Sequence, residues 1–209
     1  MKKERLHVSN NNEKYVIIGN SAAAVGAVES IRKNDPEGSI VIFSKEDRHT
    51  YSRPLISYYT LGKVSEEGIR YRSESFYSEN KCDFRSGETI IRIDAGSGKV
   101  FSDKGSEESY TKLLIATGSS PSIPPFPGLS RVTNKLTYTT FDDANKLDEL
   151  LQNGASKVLI LGAGLIGLNC CECIGSKAEI TSYDLSDSGL SSIIEDHIAA
   201  TKKERYYIF

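Results

Sequence analysis

Two stretches of this 209-residue chain run in the same order: an apolar β-branched segment, a glycine-bearing turn, a helix-forming segment, then a second strand-forming segment. The first stretch is Tyr15 to Ile18, the turn at Gly19, Ala22 to Lys33, and Ser39 to Phe43. The second is Lys157 to Leu161, the turn at Gly162, Leu165 to about Gly175, and Glu179 to Tyr183. Short strands flanking a helix within about thirty residues make a βαβ unit with parallel strands. Asp35-Pro36-Glu37-Gly38 closes the first helix, because proline fixes φ and glycine accepts φ > 0. The first glycines of the two turns lie 143 positions apart, so the chain carries two βαβ units and belongs to the α/β class.

The turns have chemical content. Gly162-Ala163-Gly164-Leu165-Ile166-Gly167 matches G-x-G-x-x-G between a predicted strand and a predicted helix. The first glycine permits the tight turn, the second lets a pyrophosphate approach the backbone, and the third lets helix pack on strand. The helix N-terminus adds free N–H groups and partial positive charge. Asp184 closes the next strand, 22 residues after Gly162, where a carboxylate accepts from ribose hydroxyls. The first turn, Gly19-Asn20-Ser21-Ala22-Ala23-Ala24, keeps only its first glycine, with Ser21 and Ala24 at the other two positions. Ala is permitted at the third. Ser21 adds a side chain where a pyrophosphate passes, although its hydroxyl is also a donor. Glu46, 27 residues after Gly19, is the candidate ribose ligand. Alone, this turn suits a nucleotide site or plain strand–helix packing equally.

Between the two units, Arg48 to Gly62 reads as a loop leading into a short helix. Ile90 to Asp94, Lys99 to Ser102 and Tyr110 to Thr117 read as an antiparallel meander whose last strand returns to a buried sheet. Pro121, Pro124, Pro125, Pro127 and Gly128 form a stiff connector, which places a boundary after residue 128. Asp142 to Leu151 is an expected amphipathic helix stopped by Gly154.

Composition narrows the partners. A net charge of −2 offers no basic surface for nucleic acid or an anionic membrane. The longest apolar stretch, Val158 to Leu168, has 11 residues. A bilayer span takes about 20. The charged start has no apolar core behind it, so residues 1–13 are expected to be a disordered lead-in rather than a leader. Three of the four cysteines, Cys170, Cys171 and Cys173, fall within four residues. That is no disulfide framework, and a cytoplasmic location is expected. Adjacent helix positions diverge by about 100°, so these thiols are expected to pack rather than share a metal ion. Cys82 is expected to be a structural or surface thiol. His7, His49 and His197 are scattered, and His49 is expected to face solvent in its loop. Tyr58 and Tyr59 fit either a ligand-flanking or a helix-packing role.

Together these segments resemble the pyridine nucleotide–disulfide oxidoreductase superfamily, in the branch of NADH:rubredoxin reductases and nitrite reductase-like FAD enzymes. The resemblance is carried by Tyr15 to Asn20 with its Ala-rich helix, Tyr51-Ser52-Arg53-Pro54-Leu55 with Ile56 to Tyr59, Leu113 to Ser119 followed by Pro121, and Val158 to Gly167. It implies a Rossmann-like FAD-binding domain with an antiparallel β-meander over residues 14–128. It also implies an incomplete second Rossmann-like NAD(P)-binding domain over residues 129–209. The turn of Gly19, Ser21, Ala22 and Ala24 would hold the FAD pyrophosphate and Glu46 the adenosine ribose. Arg53 and Pro54 would lie along the flavin side, with Ala116, Thr117 and Gly118 passing close to FAD. Gly162, Gly164, Ile166, Gly167 and Asp184 would bind NAD(P)H. An acidic Asp184 favours NADH, because a carboxylate repels a 2′-phosphate.

The sequence departs from the family pattern twice. Phe43 to Lys81 contains no cysteine, where disulfide reductases carry a redox-active pair. The resemblance then implies hydride passed from NAD(P)H to flavin and electrons delivered to an external acceptor, a small redox protein among the candidates. The second departure is that the match fades after Asp184, and no Gly-Asp dipeptide occurs. A truncated, non-catalytic remnant or one half of a two-chain enzyme with a C-terminal partner is therefore the alternative expectation. Ile193 to Glu204 is read as a helix and Arg205 to Phe209 as an apolar tail.

Overall fold

The computed structural model describes residues 13–123 and 125–184. In chain order its elements are β1 (Lys14–Ile18), α1 (Ala22–Asn34), β2 (Ser39–Ser44), α2 (Ile56–Thr60), α3 (Phe76–Glu79), β3 (Cys82–Ser86), β4 (Ile90–Asp94), β5 (Lys99–Ser102), β6 (Glu107–Ser109), β7 (Lys112–Ile115), α4 (Phe141–Gln152), β8 (Lys157–Leu161), α5 (Leu165–Ile174) and β9 (Glu179–Tyr183). Short 3-10 turns occupy Arg53–Leu55 and Leu129–Arg131. The expected C-terminal helix and tail, His7, His197 and the lead-in before Glu13 lie outside the described residues.

Two compact units result. One contains the chain up to Ser52 together with Arg70–Ser120; the other contains Arg53–Ile69 and the chain from Pro121 onward. The proline-rich connector thus opens the second unit rather than closing the first, and the expected boundary at residue 128 differs from this division. The reason is local packing in the second unit. Tyr59 of α2 donates to Asn145 Oδ1 at 3.0 Å, and Cys173 Sγ approaches the Ser57 carbonyl at 3.3 Å.

The first unit is built on a wholly parallel sheet of order β3-β2-β1-β7. A parallel sheet is covered on both faces, so its central strands carry unbroken apolar runs, Tyr15 to Ile18 in β1 and Ile40 to Phe43 in β2. One face buries Ile17, Ile40 and Ile42 against Ala24, Val25 and Val28 of α1 and Phe76 and Tyr77 of α3. The other buries Val16, Ile18, Val41 and Phe43 against Val100 of β5. Each such fully buried Val, Ile or Phe side chain contributes about 1.5–3 kcal/mol. Arg32 fastens the end of α1, donating to the carbonyls of Gly38 at 2.7 Å and Asn80 at 2.6 Å.

The meander is β4-β5-β6, and its composition corrects the sequence expectation. Its third strand is the polar Glu107–Ser109, not the segment from Tyr110. The chain changes sheets at Thr111, whose N–H donates to the Lys14 carbonyl at 2.9 Å, so β7 joins β1 in parallel. Glu108 is 9% exposed and sits between Lys14 and Arg85, which anchors β6 despite its lack of apolar residues. Strand β7 is an edge strand, with Leu114 38% and Ile115 60% exposed, so that end of the sheet is more open than expected.

In the second unit β8 and β9 pair in parallel, and α5 and α4 cover one face. Leu147, Ile160, Cys170, Cys171, Cys173 and Ile174 form that core. Burial pushes the Cys170 thiol up to about 12, so it packs as a small apolar group. Thr140 and Asp143 form a reciprocal capping box at the start of α4. The other face of the pair shows Leu159 and Leu161 to solvent, 62% and 42% exposed. Among the described residues no helix is long and apolar enough to cross a membrane.

Candidate functional site

At the end of β1, Gly19 has φ +117°, and its N–H donates to the Phe43 carbonyl at 2.8 Å. A Cβ here would stand 2.1 Å from the Ala116 carbonyl oxygen and 3.2 Å from the Thr117 nitrogen. Glycine is therefore compulsory, and the fold brings Gly19, Ala116 and Thr117 to one point. Gly118 follows with φ +70° and open space around it. Ser21 is the N-cap of α1, yet its side chain makes no capping hydrogen bond, and the first turn of α1 carries no acid. Ala22 opens the helix, and Ala24, 1% exposed, packs into the core where the third glycine would stand.

Glu46 lies just past β2. The Tyr51 hydroxyl donates to its Oε2 at 2.6 Å, and its carbonyl accepts from Ser44 Oγ at 2.8 Å. A second set of bonds joins this loop to the glycine turn. Tyr77 Oη donates to Asn20 Oδ1 at 2.8 Å and accepts from the Thr50 N–H at 3.1 Å. Asn20 Nδ2 donates to the Arg48 carbonyl at 3.3 Å. Sequence reading gave Asn20, Thr50 and Tyr77 no role, because three residues scattered over 57 positions carry no spacing signal. His49, expected to face solvent, instead turns inward, with its ring 4.7 Å from that of Tyr77 and a buried Nε2. Burial raises the Tyr77 hydroxyl above the ordinary tyrosine value, so it stays a donor at neutral pH.

The second turn is arranged differently. Gly162 has φ +110°, and among the described residues a Cβ there meets nothing within 4 Å; the same space is open at Gly164. Gly167 is compulsory, since its Cβ would lie 2.0 Å from the Gly162 carbonyl oxygen. Gly164 is the N-cap of α5 and offers no side chain to its first N–H groups. Ile166 is 52% exposed beside the turn. The Ala163 N–H donates to Asp184 Oδ2 at 2.5 Å, so the acid at the end of β9 holds the turn directly.

Arg53 and Pro54 belong to the second unit, the Gly19 turn to the first. Arg53 Nη1 donates to the Thr139 carbonyl at 2.7 Å. The Tyr59 ring packs tilted against Phe141 with centroids 4.4 Å apart, while Tyr58 is 49% exposed.

The family model described as pyridine nucleotide-disulphide oxidoreductase matches residues 13–203. The chain belongs to that family. Among curated members, the epsilon subunit of the NADH-dependent phenylglyoxylate dehydrogenase of Aromatoleum evansii is 34% identical over 195 residues, covering 93% of this chain and 46% of that protein. The assimilatory nitrate reductase electron transfer subunit of Bacillus subtilis (strain 168) is 35% identical, covering 80% of this chain and 20% of the other. A solved NAD-dependent persulfide reductase from A. fulgidus superimposes with a TM-score of 0.83 at 27% identity, over 92% of this chain and 37% of that one. The chain thus spans half or less of the length of these family members.

Proposed function

We propose that this chain is the nucleotide-binding portion of an FAD-dependent oxidoreductase. It passes hydride from NAD(P)H to flavin and then electrons to an external acceptor, without an active-site disulfide. The observation that carries the reading is the pair of uncapped helix N-termini. Of the three described helices longer than two turns, α1 and α5 follow glycine turns and lack a side-chain hydrogen bond at the N-cap, whereas α4, outside any glycine turn, has a full capping box; the one-turn helices α2 and α3 are also uncapped. Orphan N–H groups at a helix start suit a pyrophosphate. The open space at Gly162 and Gly164 fits the second of these ligands as well.

In this reading Gly19, Ser21, Ala22 and Ala24 hold the FAD pyrophosphate and Glu46 its adenosine ribose. Ala116, Thr117 and Gly118 lie along it, and Arg53 and Pro54 serve its flavin side. Gly162, Gly164, Ile166 and Gly167 hold NAD(P)H, with Asp184 selecting NADH. A bound flavin supplies hydride acceptance and stepwise electron release. The chain's own residues bind and orient. No cysteine lies between Phe43 and Lys81 to form a redox pair, and all four cysteines are free thiols, which suits a cytoplasmic protein.

The acceptor is a small redox protein or another chain of the same assembly. The names of two relatives, each a subunit and one an electron transfer subunit, support that class. A second reading is a nucleotide-binding remnant or half-enzyme that turns over only with a C-terminal partner chain. The open apolar positions Leu114 and Ile115 on β7 and Leu159 and Leu161 on β8 favour it. Reconstitution separates the cases. After mixing with FAD and desalting, the chain should keep flavin and oxidise NADH with a one-electron dye. Flavin kept without NADH oxidation supports the second reading, and flavin lost with no NADH oxidation contradicts both.

A further inference from the structure

Resting on the FAD reading of the first turn, we propose that Tyr51 is a positioning residue for the adenosine ribose, acting through Glu46. The Tyr51 hydroxyl donates to Glu46 Oε2 at 2.6 Å, a length in the charge-assisted range for a hydroxyl on a carboxylate. Glu46 sits on a loop, so its backbone alone leaves the carboxylate several rotamers. One short bond to a rigid phenol fixes which way it faces. Freezing a recognition group before the ligand arrives removes an ordering cost from binding.

Tyr51 is itself held. It forms an antiparallel bridge with Arg70, and the Thr50 carbonyl beside it accepts the Tyr71 N–H at 3.0 Å. Thr50 is fully buried, and its N–H donates to Tyr77 Oη, the same hydroxyl that donates to Asn20 in the glycine turn. A continuous path of bonds therefore runs from the pyrophosphate turn through Asn20, Tyr77 and Thr50 to Tyr51 and Glu46. It keeps the carboxylate in register with the turn, which a ligand contacting both with one ribose-diphosphate unit requires.

The test uses the full chain loaded with FAD, with bound flavin displaced by ADP or by 2′,3′-dideoxy-ADP, which lacks the ribose hydroxyls. Tyr51→Phe keeps the ring and removes the hydroxyl. We expect FAD and ADP to bind about tenfold more weakly to Y51F, the usual scale for a hydrogen bond to a charged group. Because Y51F holds flavin more weakly, dideoxy-ADP should displace it at lower concentration from Y51F. Its dissociation constant, once the weaker flavin binding is taken into account, should be the same for both proteins. Glu46→Gln should show the same loss for ADP, and Tyr51→Phe added to it should cost nothing more. Unchanged ADP affinity in Y51F, equal weakening of ADP and dideoxy-ADP, or full additivity with E46Q would each overturn the inference while leaving the FAD reading intact. Wild-type chain that holds no FAD would overturn both.

Discussion

Gly19 and Gly162 take nearly the same backbone turn, at φ +117° and +110°, yet their surroundings are opposite. Gly19 is pressed against the Ala116 carbonyl, because β7 lies beside β1 and its continuation crosses the turn. Gly162 meets nothing within 4 Å, since among the described residues β8 pairs with β9 alone. The compulsory glycine has moved to the third position, Gly167, against the Gly162 carbonyl. In the first unit that third position tolerates the methyl of Ala24. One motif therefore satisfies two separate demands, room for the protein's own backbone and room for a ligand, and the two units distribute them over different residues.

The acids differ in the same way. Glu46 is oriented by a side chain, Tyr51, whereas Asp184 binds the turn backbone itself at Ala163. Removing Asp184 should therefore disturb the turn as well as the ribose contact, while removing Tyr51 should leave the first turn in place.

The largest effect expected is on Gly19→Ala. The 2.1 Å clash with a backbone oxygen at positive φ should destabilise the chain by on the order of 3 kcal/mol or more and abolish flavin binding. Gly162→Ala carries only the dihedral strain, about 1–2 kcal/mol, and should act mainly on NADH. Thermal melts of the two variants measure the difference, and equal destabilisation would break the comparison. Next comes Asp184→Asn, for which titration should show NADH binding about tenfold weaker with FAD binding unchanged. Gly164→Ala, in open space at φ −72°, should leave the melting temperature within about 1 °C while weakening NADH.

The smallest effect is in alkali. Burial raises the thiols of Cys170, Cys171 and Cys173 in the second unit and of Cys82, to about 11, in the first. A folded pKa above the unfolded value of about 8.5 means the stabilisation is complete below that pH and is lost as pH rises through the folded values. Denaturant melts should show stability falling from about pH 8.5 to about 11 for Cys82 and on to about 12 for Cys170, more steeply where the second unit's three thiols are reported than where Cys82 is. Replacing those three with alanine should flatten the curve.

Much of the fold was legible because β1, β2 and β8 are apolar runs bounded by turn residues, and β9, which is not apolar throughout, follows from the repeat of the first unit's order. Strands β3 and β6 were not. Cys82-Asp83-Phe84-Arg85-Ser86 mixes charge into the run, and Glu107-Glu108-Ser109 has no apolar residue at all. Tertiary pairing creates both, through the β2–β3 register and through Lys14 and Arg85 on Glu108. At the site, the glycines and acids announce themselves by spacing. The bonds that orient them, from Tyr77 to Asn20 and from Tyr51 to Glu46, depend on loops whose course no local pattern encodes.

The central claim, that the two turns hold FAD and NADH for hydride transfer, is tested most directly by the visible spectrum of the FAD-loaded chain under anaerobic NADH. The account predicts the two-band flavin absorption, bleached on adding NADH, with Gly164→Ala needing more NADH for the same bleaching. A chain that stays colourless after FAD loading would contradict it.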